Sequence, residues 1–154
     1  MTGIDSRPEV LEAAALADPR VTATGELALH VGDGEALPYA DGEFDLVHSS
    51  LLVHHLEPDA ARRALREMGR VSRLGIVVND VVRNRPAWLG AWLYGHVLTR
   101  NRFTRTDAPL SVARAYTTAE LTALLAAAGL QVERRFDGIA GHRVAFAARR
   151  NGTA

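Results

Sequence analysis

Residues 31–56 read VGDGEALPYADGEFDLVHSSLLVHHL, and this stretch decides the fold. One apolar run stops at Gly32, and a second apolar run begins at Phe44. Short apolar runs bounded by Gly and Asp residues are typical of β-strands joined by loops. In an open α/β sheet, ligands bind beyond the carboxyl ends of the strands. We therefore expect Asp33 and the corner at 48–50 to face a ligand.

Outside this stretch, the pattern predicts alternating strands and helices. A strand ends at Asp5. Ser6 to Glu9 have the form of a capping box, and the helix that begins there has an apolar face of Val10, Leu11, Ala14 and Ala17. A second helix follows residues 57–59, with Ala61, Ala64, Leu65, Met68 and Val71 on one face at helical spacing. Its arginines, Arg62, Arg63, Arg66 and Arg70, are predicted to lie on a solvated face.

The second half of the chain predicts a buried strand, a helix and two further strands. Residues 76–80 form the buried strand, and Thr117 to Glu120 form a capping box that opens a helix over 121–128. Two strands then follow, at 130–136 and 142–149.

Composition excludes several classes of protein. The chain has 154 residues, enough for one domain with a core, and 18 acidic residues balance 18 basic ones. Zero net charge argues against a nucleic-acid partner, which needs clustered positive charge. All the basic residues are Arg, so a Schiff-base lysine is excluded, and the lack of Cys excludes a thiolate nucleophile or a cysteine-ligated metal within this chain.

The chain carries no sign of a signal peptide or a membrane span. Residues 1–18 are charged throughout, and the longest apolar run, 87–98, is shorter than the ~20 residues that span a bilayer. We predict a cytoplasmic protein without a membrane partner.

Several spaced elements together resemble the middle of a class I S-adenosylmethionine-dependent methyltransferase. They are GDGEALPY at 32–39, Asp41, FDLV at 44–47 and the pair His54-His55. The chain is most similar to the small-molecule type that includes the ubiquinone/menaquinone methyltransferases, and the resemblance covers nearly all of it. It implies an α/β fold, a Rossmann-like methyltransferase sheet with helices on both faces. It also implies S-adenosylmethionine as cofactor and methyl transfer to a small-molecule acceptor.

The resemblance also implies cofactor-binding residues. Asp5 matches the acidic residue that binds both ribose hydroxyls, and Asp33 matches the acceptor of the adenine amino group. Gly34 matches beside Asp33, where a glycine permits a backbone geometry that a Cβ resists. Ser50 matches a position near the methionine half of the cofactor. The alternatives are a helix-capping Asp5, a plain Asp-Gly turn at Asp33 and a Ser50 satisfied by strand-end backbone.

His54 and His55 are the candidate catalytic residues. If the acceptor is a hydroxyl, either imidazole can act as general base near neutral pH. The alternative is that one histidine caps the following helix and the other packs. Asn79-Asp80 is similar, in reversed order, to the Asp-Asn pair of metal-dependent catechol methyltransferases. No carboxylate stands at 48–50 to complete an oxygen site, so no metal is predicted.

The family begins with a strand and a loop of the form Asp-x-Gly-x-Gly-x-Gly, and this chain does not contain that motif. The resemblance implies the strand order 3-2-1-4-5-7-6, so the first strand and helix are expected to be missing between the second and fourth strands. We predict a truncated methyltransferase domain over 1–150 and a disordered tail over 151–154. Unpaired strand edges favour self-association, so impaired activity, weak cofactor binding and a homo-oligomer are expected.

Other readings stay open. The sequence is either a fragment or a degenerate relative, and a non-catalytic remnant or interaction module without cofactor binding is the alternative function. A nicotinamide-dependent oxidoreductase is disfavoured, because neither a Gly-x-Gly-x-x-Gly loop nor a catalytic lysine is present. The aromatic segment 83–106 either covers the acceptor or packs as an amphipathic helix.

Overall fold

The computed structural model describes residues 1–17, 27–84, 88–89, 93, 110, 112–138 and 141–152. The aromatic segment 83–106, for which acceptor covering and helix packing are both open, therefore lies almost entirely outside the described residues. The elements, in chain order, are β1 (Thr2–Asp5), α1 (Pro8–Ala17), β2 (Ala28–Val31), β3 (Phe44–Ser50), a 3₁₀ turn (Val53–His55), α2 (Pro58–Val71), β4 (Ser72–Val81), α3 (Thr118–Ala127), β5 (Leu130–Asp137) and β6 (Arg143–Arg150). The predicted α/β class is confirmed.

The strands form two sheets. β1 and β2 pair in parallel, and a second sheet has the order β3-β4-β6-β5. β3 and β4 run parallel, while β6 is antiparallel to both β4 and β5. Within each sheet, neighbouring strands are those that the predicted order 3-2-1-4-5-7-6 places side by side, when β1 is counted as strand 2 of that order. No described strand joins β1 to β3, and the predicted absence of the first strand and helix stays a prediction.

The core lies between the larger sheet and two helices, α2 and α3. The predicted apolar face of α2 is buried as expected, because residues at helical spacing turn toward the sheet together. The core joins residues of α2, α3 and three strands: Ala61, Leu65, Met68, Ile76, Val78, Leu121, Leu125, Leu130, Val144 and Phe146. The larger sheet is therefore the stable part of the fold.

Helix α1 behaves differently from the prediction. None of its residues is buried, and Ala14 and Ala17, assigned to the apolar face, are exposed. Its main contacts are with β1 and β2, and two short strands offer too little surface to cover a helix face.

The two predicted capping boxes have different outcomes. At α3, Glu120 N donates to Thr117 Oγ1 at 3.2 Å, and Thr117 N donates to Glu120 Oε2 at 2.7 Å, so that box is confirmed. The backbone hydrogen bond from Thr117 holds the pKa of Glu120 below its usual value. At the start of α1, the carboxylate of Asp5 accepts from Arg7 N instead.

Arg70 holds the loop between β2 and β3 onto α2. Its guanidinium donates to the carbonyls of Leu37 and Tyr39, at 2.9 and 2.7 Å, and to the Asp41 carboxylate at 2.9 Å. Glu67 accepts from Arg70 and from Leu37 N, and the Arg70 hydrogen bond is the largest cause of its lowered pKa. The solvated role predicted for Arg70 is wrong, because the loop folds back over the helix.

The predicted domain boundaries stay predictions. Asn151 N donates to Gly129 O at 3.1 Å, and residues 153–154 lie outside the described part of the chain. Among the described residues, no helix is long and apolar enough to cross a membrane.

Candidate functional site

Two of the predicted cofactor carboxylates lie at one edge of the smaller sheet. In the parallel pairing of β1 and β2, Asp5 stands opposite Val31, so both strands end at the same level. Gly32 N donates to Asp5 O at 3.1 Å, and Asp33 follows directly. The pairing therefore brings Asp5 and Asp33 to the same carboxyl edge, where ligands of open α/β sheets bind.

Each carboxylate already makes one local hydrogen bond. Asp5 Oδ1 accepts from Arg7 N at 2.9 Å, and Asp33 Oδ1 accepts from Glu35 N at 2.8 Å. These are the turn contacts that the alternative reading predicts. Within the described part of the chain, Oδ2 of each residue accepts no hydrogen bond, so a turn role and a ligand role are compatible.

The backbone conformation at Gly34 does not require a glycine. Its φ lies outside the left-handed region, and an added Cβ would meet no atom within 4 Å. The predicted conformational reason for a glycine here is therefore wrong. The open space beside Asp33 leaves room for a ligand.

Strand β3 ends in a sharp corner that β4 supports. Leu51 has a φ of 56°, unusual for a residue other than glycine, and its N–H donates to Asn79 O at 2.9 Å. The exposed Ser50 Oγ accepts from Asn79 Nδ2 at 3.3 Å. Ser50 is thus held by a side chain of β4, not by the strand-end backbone of the alternative reading.

His54 is fixed by a buried contact with Asp80, at the end of β4. His54 Nδ1 lies 2.6 Å from Asp80 Oδ1, and the two side chains are only 6% and 1% exposed. Asp80 Oδ2 accepts from Val53 N at 2.7 Å and from His54 N at 3.3 Å. One carboxylate therefore fixes both the imidazole and the 3₁₀ turn. The sequence presents Asp80 as the polar end of a strand and as half of a possible metal pair, but it does not predict the contact with His54. The signal that could have found it is an acid closing an apolar strand.

His55 occupies a more open position than His54. It is exposed, and its ring centroid lies 3.9 Å from that of His54, with the planes tilted by 40°. Desolvation is the largest cause that lowers the pKa of His55, followed by the charge of His54, and Arg7 and Arg114 add to it. Asp80 acts in the opposite direction. Groups on four separate segments thus act on the ionisation of His55, and their balance with desolvation favours its neutral form.

We expect His55 to titrate below its ordinary pKa of 6.5. The unfolded chain takes up this proton near 6.5 and the folded chain resists it, so the contribution of His55 to stability falls as the pH drops below 6.5. Proton NMR of the imidazole Cε1–H signals between pH 5 and 8, with His55→Gln to assign the resonance, measures the midpoint. A midpoint at or above 6.5 would contradict this expectation.

No grouping of three or more metal-ligating side chains, His, Asp or Glu, occurs in the described part of the chain. Both oxygens of Asp80 are already engaged by His54 and by backbone N–H groups. The predicted lack of a metal stays a prediction.

Comparison with known proteins identifies relatives of the chain. Residues 1–78 match the family model described as a methyltransferase domain. An uncharacterized methyltransferase of Synechocystis sp. is 33% identical over 90 residues, which are 58% of this chain. The chain spans 40% of the length of that curated relative.

Solved structures share the fold. A SAM-dependent methyltransferase from Methanosarcina mazei has a TM-score of 0.67 at 19% identity, covering 97% of this chain and 81% of its own. A SAM-dependent methyltransferase from Aquifex aeolicus has a TM-score of 0.66 at 17% identity. The match covers 96% of this chain and 66% of that one. The [4+2]-cyclase SpnF has a TM-score of 0.69 at 16% identity. The match covers 97% of this chain and 65% of the cyclase. At these identities the likeness establishes a Rossmann-like fold, and a fold alone does not fix the reaction.

Proposed function

This chain belongs to the methyltransferase domain family, and we propose that it binds S-adenosylmethionine and transfers a methyl group to a small-molecule acceptor. The observation that carries the proposal is the placement of Asp5 and Asp33, both within the matched residues 1–78, at one carboxyl edge of a parallel sheet. The resemblance to ubiquinone/menaquinone methyltransferases supports an acceptor that is a small molecule.

The residues at this edge fit the adenosine end of the cofactor. The Asp5 side chain is 33% exposed and keeps one oxygen without a partner in the described structure, which suits a ribose diol. Asp33 keeps one such oxygen beside the open space at Gly34, which suits an amino group. Donor and acceptor types therefore agree with the proposed ligand.

The methionine end of the cofactor has fewer candidate contacts. Among the described residues near the end of β3, Ser50 offers a hydroxyl that already accepts from Asn79. β1 and β3 also belong to separate sheets, so the edges that carry Asp5 and Ser50 are not joined by a strand ladder. We propose that this chain by itself binds the cofactor weakly and that its activity is impaired.

In the proposed methyl transfer, the protein mainly aligns the reactants and excludes water. The bound cofactor supplies an electrophilic methyl group on a sulfonium, whose C–S bond breaks as the new bond to the acceptor forms. The residues of this chain align the two partners and keep water out. For a hydroxyl acceptor, the neutral and exposed His55 takes up the released proton, whereas His54 is too buried to reach it.

We expect Asp33→Ala to weaken binding of S-adenosylhomocysteine by about 1–3 kcal/mol, because the adenine amino group loses its acceptor. This corresponds to roughly 5- to 150-fold in Kd. The measurement is an amide chemical-shift titration of the ¹⁵N-labelled chain, which detects millimolar binding. Asp59→Ala, on an 81% exposed carboxylate of α2, is the matched control and should leave the Kd unchanged.

Two results would contradict the proposal. Equal affinity of the wild type and Asp33→Ala would remove Asp33 from the site. A wild-type chain that shows no shifts at millimolar S-adenosylhomocysteine would contradict cofactor binding itself.

One observation favours the second candidate function, an interaction module without cofactor. Leu46, on the strand β3 that ends the larger sheet, is 63% exposed, and Val31 of β2 is 58% exposed. Exposed apolar residues on an edge strand promote association with another chain. Under this alternative, light scattering shows a concentration-dependent oligomer, and S-adenosylhomocysteine changes neither its mass nor its spectrum.

A further inference from the structure

The Asp80 carboxylate is a buried acceptor shared by several donors of its own chain. Oδ1 accepts from His54 Nδ1 at 2.6 Å and from Val81 N at 2.7 Å. Oδ2 accepts from the backbone N–H groups of Val53 and His54. The side chain of Asp80 is 1% exposed, so water does not replace these bonds. Asp80 therefore restrains the orientation of the His54 ring and of the backbone N–H groups that donate to it.

We propose that Asp80 is a positioning residue: it holds His54 in one tautomer and sets the turn Val53–His55 so that His55 receives the proton of a hydroxyl acceptor. The inference rests on the proposed methyl transfer and adds to it the acceptor class and a residue outside the predicted site.

The tautomer follows from the chemistry of the contact. An ionised carboxylate only accepts hydrogen bonds, so His54 Nδ1 must carry the proton that Asp80 receives. In the neutral ring, the lone pair is then on Nε2. Because a partner at one ring nitrogen determines the state of the other, Asp80 determines which atom of His54 can accept a hydrogen bond.

The position of His55 depends on the same contact. His55 is the last residue of the three-residue turn that Asp80 holds through Val53 N and His54 N. Its ring lies 3.9 Å from the ring of His54, so a rotation of His54 would displace it. Of the two histidines, only His55 is exposed enough to contact an acceptor.

The proton of the acceptor hydroxyl moves to His55 as the methyl group is transferred. The acceptor oxygen forms a bond to the sulfonium methyl carbon, the C–S bond breaks, and its electron pair remains on sulfur. The O–H proton passes to a ring nitrogen of neutral His55, which becomes an imidazolium. His54, Arg7 and Arg114 disfavour protonation of His55, and Asp80 favours it.

The test is Asp80→Asn, read by ¹⁵N NMR of the imidazole nitrogens in the 154-residue chain without any ligand. The carboxamide oxygen can still accept from Val53 N and His54 N, so the turn is kept, while Val81 N loses its acceptor. The carboxamide NH₂ then faces Nδ1 and turns it into an acceptor. We expect His54 to be Nδ1–H in the wild type and Nε2–H in Asp80→Asn, and Asp59→Asn to behave as the wild type.

A second readout connects the tautomer to the reaction. Simple phenols and primary alcohols serve as probe acceptors with S-adenosylmethionine. Asp80→Asn should lower kcat at least about tenfold, which is part of the roughly 10²–10⁴-fold that general-base catalysis contributes. The KM for S-adenosylmethionine and the Kd for S-adenosylhomocysteine should stay unchanged.

The outcomes separate the two proposals. A wild-type His54 with the Nε2–H tautomer, or a tautomer that Asp80→Asn does not change, would overturn the positioning role. An equal kcat in both proteins would overturn it as well. A wild type that methylates none of the probes contradicts the proposed transfer to hydroxyls, and the NMR measurement then decides the role of Asp80 in fixing His54.

Discussion

Replacing Asp80 with alanine should lower the free energy of unfolding by about 3–5 kcal/mol, because several buried donors lose their acceptor and each unpaired donor costs about 1–3 kcal/mol. The substitution leaves His54 Nδ1 and the Val53 N–H without their acceptor, in positions that are almost fully buried. Their desolvation is then uncompensated, and this loss exceeds that of an exposed contact.

Urea denaturation followed by circular dichroism measures the effect. Asp59→Ala is the matched control, because the same group is removed from an 81% exposed position on α2, where the change should stay within about 0.5 kcal/mol. The loss of unfolding free energy in Asp80→Asn should lie between the losses in Asp80→Ala and Asp59→Ala. Equal midpoints for Asp80→Ala and Asp59→Ala would show that the carboxylate does not stabilise the fold.

Phe146→Ala should lower the free energy of unfolding by about 3–5 kcal/mol, because truncation of a buried aromatic ring loses transfer free energy and leaves a cavity. Phe146 is 1% exposed and is the largest fully buried side chain of the described residues. It pairs with Val78 of β4, inside the core that joins the larger sheet to α2 and α3.

Phe136→Ala provides the comparison for this prediction. Phe136 lies on the neighbouring strand β5, pairs with Ala145 and is 59% exposed, so the same atoms are removed with little loss of packing. The urea midpoint of Phe136→Ala should therefore shift much less than that of Phe146→Ala. If both variants lost the same stability, Phe146 would not act as the centre of this core.

Phe146 and Asp80 lie on β6 and β4, two adjacent strands of the larger sheet. Phe146 stabilises the larger sheet, whose carboxyl edge carries the corner at Leu51. Asp80 connects that edge to the histidine turn. The sheet therefore has to be intact before the turn can be positioned. Phe146→Ala should disturb both the sheet and the turn, whereas Asp80→Asn should change the tautomer of His54 and leave the core of the sheet in place.

Much of the fold was determined by local sequence patterns. The helical spacing from Ala61 to Val71 predicted the buried face of α2, and the capping box at Thr117 predicted the start of α3. The strand ends predicted the positions of Asp5 and Asp33. These features depend on residues a few positions apart, where the periods of helix and strand and the geometry of turns act directly.

Only the tertiary structure decided the contacts that span long stretches of chain. Asp80 meets His54 from 26 residues away, because the parallel register places Ser50 beside Asn79 and thereby brings the two strand ends together. Arg70 reaches the carbonyl of Leu37 across 33 residues, because the loop after β2 folds over α2. Register and loop path depend on how whole elements pack, and no local spacing encodes them.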